Sequence, residues 1–178
     1  MNQSMDDAQL LTALAGRDVE ALGSLYDAHA QRVYNVLLAR GLEREEAEDV
    51  LQDAFLSLLD RGQAVRKIGN LQAYLITVAR NMASQRLGRR ERRARLEIVE
   101  PLPAGPTPAE ATQKIAARDA LRQLPPEQTE VVALKVWGEM TFAEIGQALD
   151  IPPNTAASRY RYGLEKLRDI WEAEDDEA

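Results

Sequence analysis

Arginine is the residue type with the most recognition chemistry to offer in this chain. Arg80, Arg86, Arg89, Arg90, Arg92, Arg93 and Arg95 fall within sixteen consecutive positions. A guanidinium stays charged, pairs bidentately with phosphate and stacks on bases. Asn81 and Gln85 stand among these arginines, and amides pair with base edges. Tyr74, just upstream, offers a ring on which an unstacked base can rest, worth ~1–3 kcal/mol where such stacking forms. A solvated basic helix end is the plainer reading, because arginines also favour helix C-termini. Seven arginines exceed what a cap needs. A second cluster has the opposite sign: Glu45, Glu46, Glu48, Asp49 and Asp53, with Gln52 among them, make a carboxylate surface suited to a basic partner helix or simply to water. A third, Thr155, Ser158, Arg159, Arg161 and Tyr162, is polar and cationic.

Other chemistries lack their residues. There is no cysteine and one histidine, His29, so no disulfide, thiolate cluster or histidine-rich metal site is expected. No glycine-rich phosphate loop or nucleophile motif is present, which points away from an enzyme and away from any cofactor. The start, MNQSMDDAQLL, lacks a basic segment followed by an apolar run, and nothing approaches the ~20 apolar residues that span a bilayer. The expected location is cytoplasmic. The net charge of −7 argues against nucleic-acid binding when taken whole, but the charges are sorted. Residues 1–60 hold 12 acids and 4 bases, 61–95 hold 1 and 10, 96–140 hold 7 and 4, and 141–178 hold 9 and 4. Only the second block is a phosphate footprint, and the acidic remainder discourages indiscriminate binding by the free protein.

The elements that must position these clusters are helical throughout. Asp18 is placed to cap a helix in which Leu22, Leu25, Tyr26, Val33, Leu37 and Leu38 recur at helical spacing until Gly41. His29 sits inside it as a packing or surface residue with no assigned chemistry. A helix from about 43 to 60 carries a stripe of Ala47, Val50, Leu51, Ala54, Phe55, Leu58 and Leu59, with the carboxylates on its other face. Residues 62–69 read as a loop. Leu71, Tyr74, Leu75, Val78, Ala79 and Met82 then mark a buried stripe leading into the arginine run. Residues 98–108 hold four prolines and Gly105 without helical or strand period, as expected of a linker. Thr107-Pro108-Ala109-Glu110 supplies a cap, a first-turn proline and a capping-box glutamate for a helix to Leu124.

After a helix over 127–136, Thr141 and Glu144 form a second capping box, and Phe142, Ile145 and Leu149 share one face. That helix must stop before Ile151-Pro152-Pro153. Asn154 is expected to cap the next, with Ala156, Tyr160, Leu164, Leu167 and Trp171 on its apolar side. Two helices joined by so tight a turn are a helix-turn-helix, whose second helix enters a major groove, or an ordinary helical hairpin. The acidic end, EAEDDEA, is expected to lack regular structure.

Together these stretches resemble the sigma factors of bacterial RNA polymerase, in particular the small extracytoplasmic-function (ECF) group. The resemblance is carried by EAEDVLQDAF at 46–55, AYLITVARN at 73–81 with the arginines after it, LPPEQ at 124–128, TFAEIG at 141–146 and NTAASR at 154–159. It implies an all-α protein of two small helical domains joined by a flexible proline-rich linker, the C-terminal one containing the helix-turn-helix. Residues 1–96 would bind core polymerase and open the −10 element, 97–107 would link, 108–172 would read the −35 element, and 173–178 would be an acidic tail. The implied polymerase contacts are Glu48, Asp49, Gln52 and Asp53. Those to the −10 element are Tyr74, Arg80, Asn81, Gln85, Arg86, Arg89, Arg90 and Arg93. Those to the −35 element are Thr141, Asn154, Thr155, Ser158, Arg159, Arg161 and Tyr162. The partners implied are core polymerase, promoter DNA and an anti-sigma factor of the kind such proteins often have. Tyr74 stands where the family commonly has tryptophan, Gln85 where aspartate is usual, and Ala157 where the recognition helix often carries lysine. The rivals are a stand-alone helix-turn-helix regulator, which would need a dimerisation or ligand-binding surface, and a helical adaptor that binds no DNA.

Overall fold

The computed structural model describes residues 6–96 and 120–176, with side chains described for 6–90, 92 and 120–172. The linker and the Thr107–Glu110 cap therefore lie outside the described residues. Among the described residues the α-helices are α1 (Asp7–Ala15), α2 (Val19–Ala39), α3 (Arg44–Asp60), α4 (Leu71–Leu96), α5 (Pro126–Val136), α6 (Phe142–Leu149) and α7 (Pro153–Asp176), with a short 3-10 turn at Gly62–Lys67 and helical residues at 120–122.

In the N-terminal unit α2 is the central element, packed against α1, α3 and α4. Asp18 caps it as expected, accepting from the Glu20 amide at 3.0 Å, and Gly41 ends the segment with φ of 92°, which a side chain would resist. Leu25, Val33, Val36 and Leu37 lie at its buried face beside Val50, Leu58 and Leu75, each such side chain contributing about 1.5–3 kcal/mol when withdrawn from water. Ahead of the Asp18 cap the first fifteen residues include a separate helix, α1, ended by Gly16 and by Arg17 at φ 70°. One feature differs from expectation: the expected loop at 62–69 contains a 3-10 turn that buries Val65.

The C-terminal unit is a small bundle in which α5 and α6 both pack on α7. Its helix-turn-helix forms as predicted at α6: Thr141 Oγ accepts from the Glu144 amide at 3.2 Å, and Glu144 Oε2 accepts from the Thr141 amide at 2.7 Å. Asp150 closes α6 at φ 54°, and the turn passes so near Gly146 that a Cβ there would lie 2.7 Å from the Ile151 carbonyl oxygen. The start of α7 differs. Asn154 lies within the first turn, while the Pro152 carbonyl accepts from the amides of Thr155 at 2.9 Å and Ala156 at 3.1 Å. Pro153 takes the first helical position, where a missing amide hydrogen costs nothing and a fixed φ suits the helix. Ala156 and Leu167 are buried as expected, but Leu164 and Trp171 are exposed, and α7 continues through Asp176 into the segment expected to lack regular structure.

One apolar cluster runs across both units, joining Leu71, Leu75, Ile76 and Ala79 of α4 to Val131, Leu134, Met140 and Ile145. Ile76 is fully buried, and a Cβ on Gly138 would come within 3.0 Å of its Cδ1. Polar links run alongside. Gln72 Nε2 donates to the Gly138 carbonyl at 2.8 Å, Asn70 Nδ2 to Glu144 Oε1 at 2.5 Å, and Arg32 pairs with Glu139 at 3.1 Å. His29, only 7% exposed, connects this seam to α1 by facing Asp7 Oδ1 at 2.9 Å and Gln72 Oε1 at 3.4 Å.

Candidate functional site

Helix α4 sorts its polar residues onto three sides. At about 100° per residue, positions 74, 81, 85, 89 and 92 fall within roughly 80° of one another. This line carries Tyr74, Asn81, Gln85, Arg89 and Arg92, of which all but Tyr74 are exposed. Tyr74 is half-buried: its hydroxyl accepts from Arg61 Nη1 at 3.1 Å, and the Arg61 guanidinium carbon lies 4.9 Å from the ring centroid. A ring so held is fixed in orientation by a cation already stacked on it.

The second side faces α3. Arg86 sits between two expected polymerase contacts, with Nη1 3.2 Å from Asp49 and Nη2 3.4 Å from Asp53, and Arg90 lies 3.8 Å from Glu46. Sequence reading treated the acidic stripe and the arginine run as separate surfaces, whereas the fold makes them neighbours. These pairs are largely exposed, and each is worth about 0–1 kcal/mol. Glu48, Asp49 and Gln52 also line an open groove of about 610 Å³ between α2 and α3, walled by Tyr26 and Tyr34. Tyr26 is 41% exposed and packs its ring 4.9 Å from that of Phe55. The surface is therefore aromatic as well as acidic, which spacing along α3 alone does not reveal.

The third side carries Arg80, which donates from Nε to Glu130 Oε1 at 2.7 Å across the seam between the units, with burial lowering its pKa. Of Arg93 only the helical backbone is described.

On α7, Ser158, Arg161 and Tyr162 are exposed and Thr155 and Arg159 half-buried. Arg161 is nearest to Glu165 at 3.9 Å and holds its guanidinium carbon 4.9 Å from the Tyr162 ring centroid. Ser158 Oγ donates to the Asn154 carbonyl at 2.9 Å. Thr141 is committed to its cap, its hydroxyl donating to Glu144 Oε2 at 2.8 Å while accepting from the Glu144 amide. The Glu144 carboxyl is held below its ordinary pKa by the Thr141 amide first, then by the Thr141 hydroxyl, with Asn70 and Lys135 adding and burial opposing. Thr141 thus caps the first helix of the hairpin, Asn154 is exposed in the first turn of α7, and Ser158, Arg161 and Tyr162 are its outward groups, with Arg159 half-buried. Sequence reading missed Arg40, Arg61, Tyr26, Tyr34 and Glu130; all five act through contacts between elements distant in sequence.

Two helical units, one with an arginine-bearing helix beside an acidic helix and the other with a helix-turn-helix, are the layout of a two-part transcription factor. The Sigma-70 region 2 family matches residues 25–93, and the Sigma-70 region 4 family matches residues 114–167. The RNA polymerase sigma factor CarQ of Myxococcus xanthus is 31% identical over 156 residues, covering 85% of this chain and 89% of that protein. The ECF RNA polymerase sigma factor SigL of Mycobacterium tuberculosis is 28% identical over 167 residues, covering 89% and 93%. The fold also matches the solved sigma factor RpoE in complex with the anti-sigma factor NepR from Bartonella quintana, with a TM-score of 0.74 at 18% identity over 84% of this chain and 96% of that one. The chain belongs to the ECF group of RNA polymerase sigma factors.

Proposed function

We propose that this sigma factor divides its work among three of the surfaces described above. Core RNA polymerase binds the acidic face of α3 and the groove beside it, through Glu48, Asp49, Gln52 and Asp53. The −10 element is opened and held along α4 by Tyr74, Asn81, Gln85 and Arg89, with Arg80, Arg86, Arg90 and Arg93 on its flanks. The −35 element is read by the N-terminal half of α7 through Asn154, Thr155, Ser158, Arg159, Arg161 and Tyr162, on a hairpin whose first helix is capped by Thr141. The observation that carries this reading is the alignment of a ring, two amides and two arginines along one line of α4, a combination suited to stacking, base-edge pairing and phosphate contact together. The helix-turn-helix geometry supports the upstream assignment, since the second helix of that motif lies in the major groove with its N-terminal residues toward the bases.

The protein carries out no reaction of its own and works in the cytoplasm, where polymerase and promoters are. No described helix is long and apolar enough to cross a membrane. An anti-sigma factor is a further partner, and the groove beside α3 is a surface for which it would compete with polymerase. The test is reconstitution: purified chain and core polymerase should co-migrate and direct initiation from promoters carrying both elements. Promoter-specific binding by the chain without polymerase would instead favour the stand-alone regulator.

A further inference from the structure

Glu130 of α5 meets two arginines that both belong to the N-terminal unit. Arg80 Nε donates to Glu130 Oε1 at 2.7 Å, and Arg40 Nη1 pairs with the same oxygen. Arg40 Nη2 donates to Ser84 Oγ at 2.9 Å, and Arg80 Nη1 to Asn81 Oδ1 at 3.0 Å. The Arg40 side chain is only 11% exposed, yet its Nε has no hydrogen-bond partner. Burial first, and the nearby charge of Arg80 second, lower its pKa to about 10. Two cations sharing one carboxylate leave the N-terminal unit with more positive charge than Glu130 can neutralise. Two guanidinium forks converging on one point are a donor set for a phosphate, whose several oxygens can use donors that one carboxylate leaves idle.

We propose that Arg40, Arg80 and Ser84 form a socket for a DNA backbone phosphate, and that Glu130 fills this socket in cis while the two helical units are packed together. The proposal rests on the sigma-factor reading of α4 and adds Arg40, on α2's C-terminal end, to the DNA surface. Elements at −10 and −35 lie about 25 base pairs apart, roughly 85 Å at 3.4 Å per pair. In this structure the two units touch directly, through Ile76 and Gly138, Gln72 and Gly138, and Arg32 and Glu139. They must therefore part to occupy both elements, and Glu130 then leaves the socket. The carboxylate keeps the socket closed to phosphate in the free chain, and separation of the units opens it.

The test uses the full chain, whose lack of cysteine allows dyes at Ser24→Cys and Lys166→Cys, exposed positions on α2 and α7. Energy transfer should be high in the free wild type and fall when core polymerase binds. Glu130→Gln should lower transfer in the free chain and raise its affinity for a forked promoter DNA at least about tenfold, since it leaves two half-buried cations without a counter-charge. In the holoenzyme, Arg40→Gln should lower the slope of log affinity against log salt by about 0.7–0.9, the share of one phosphate contact, and Arg40→Lys should restore it. Circular dichroism and melting of each variant establish that it is folded. An unchanged salt slope with Arg40→Gln, or no gain in DNA affinity with Glu130→Gln, overturns the socket even where polymerase binds normally. Failure of the wild type to co-migrate with core polymerase overturns the sigma-factor reading itself, and the two failures are thereby distinguished.

Discussion

The arginines of α4 and those of α7 are held differently. On α4, Arg80 is paired with Glu130, Arg86 with Asp49 and Asp53, and Arg90 with Glu46, all carboxylates of other helices. On α7, the carboxylate nearest Arg161 among the described residues is Glu165, one turn along its own helix at 3.9 Å, and Arg161 remains 63% exposed beside Tyr162. The proposed N-terminal DNA surface is thus paired in part, at Arg80, Arg86 and Arg90, through tertiary contacts that another macromolecule can exchange, while Arg89 and Arg92 are exposed; the proposed C-terminal one is open but lies in a segment of net charge −5. In the proposed reading, local pairing in the first region and long-range repulsion in the second lead to the same expectation, weak DNA binding by the free chain. On the proposed assignment polymerase would change both, by engaging the carboxylates of α3 and by supplying DNA at high local concentration.

The strongest way to break this contrast is at α3. Asp49→Arg with Gln52→Arg should abolish co-purification with core polymerase, since like charge against a basic partner costs several kcal/mol. Both side chains are exposed, so the melting free energy should move by only about 0.5 kcal/mol. Unchanged co-purification would remove α3 from the interface. Next in size is Tyr74→Ala, expected to slow open-complex formation by the equivalent of ~1–3 kcal/mol of lost stacking. The ring is half-buried, so the melting temperature must be recorded beside the rate. A fall in stability with no change in opening would return Tyr74 to the core.

Arg161→Ala sharpens the other half. In the holoenzyme it should cost about 1–3 kcal/mol at one upstream base pair and relax preference there. Replacing Arg89 and Arg90 should instead weaken all promoters alike and flatten the salt dependence. A selection from a randomised upstream element that returned identical preferences for wild type and Arg161→Ala would exclude base readout by Arg161. The smallest effect is expected at the α6 cap. The depressed folded pKa of Glu144 means that its stabilisation is present above its ordinary value of 4.5 and is lost as pH falls through the lower folded value. Glu144→Gln should accordingly melt slightly lower than wild type at pH 7, by a few tenths of a kcal/mol for so exposed a pair, and the gap should close in acid. A gap that persisted well below pH 4 would assign the effect to packing.

What the sequence disclosed followed from local rules. The capping box at Thr141 and Glu144, the stop before Ile151-Pro152-Pro153, and the stripes of α3 and α4 all depend on residues a few positions apart. The start of α7 lies one residue before the position that Asn154, a strong cap, suggests, because Pro153 breaks the preceding helix and also suits the first position of the next. Leu164 and Trp171 keep helical period yet lie exposed, since period alone does not say whether a partner element covers a face. Ile76 broke the expected stripe of α4 and is nonetheless fully buried, because it faces Gly138 of the other unit. Arg40 and Glu130 gave no sequence signal at all, being joined only when α2 and α5 meet.

The account is tested most directly by measuring the affinity of the free chain and of the holoenzyme for the same promoter DNA across a salt series, with a scrambled-sequence duplex as reference. It predicts tight, sequence-specific binding by the holoenzyme, and weak binding by the free chain that scarcely separates promoter from scrambled DNA. Tight, promoter-specific binding by the free chain would contradict it.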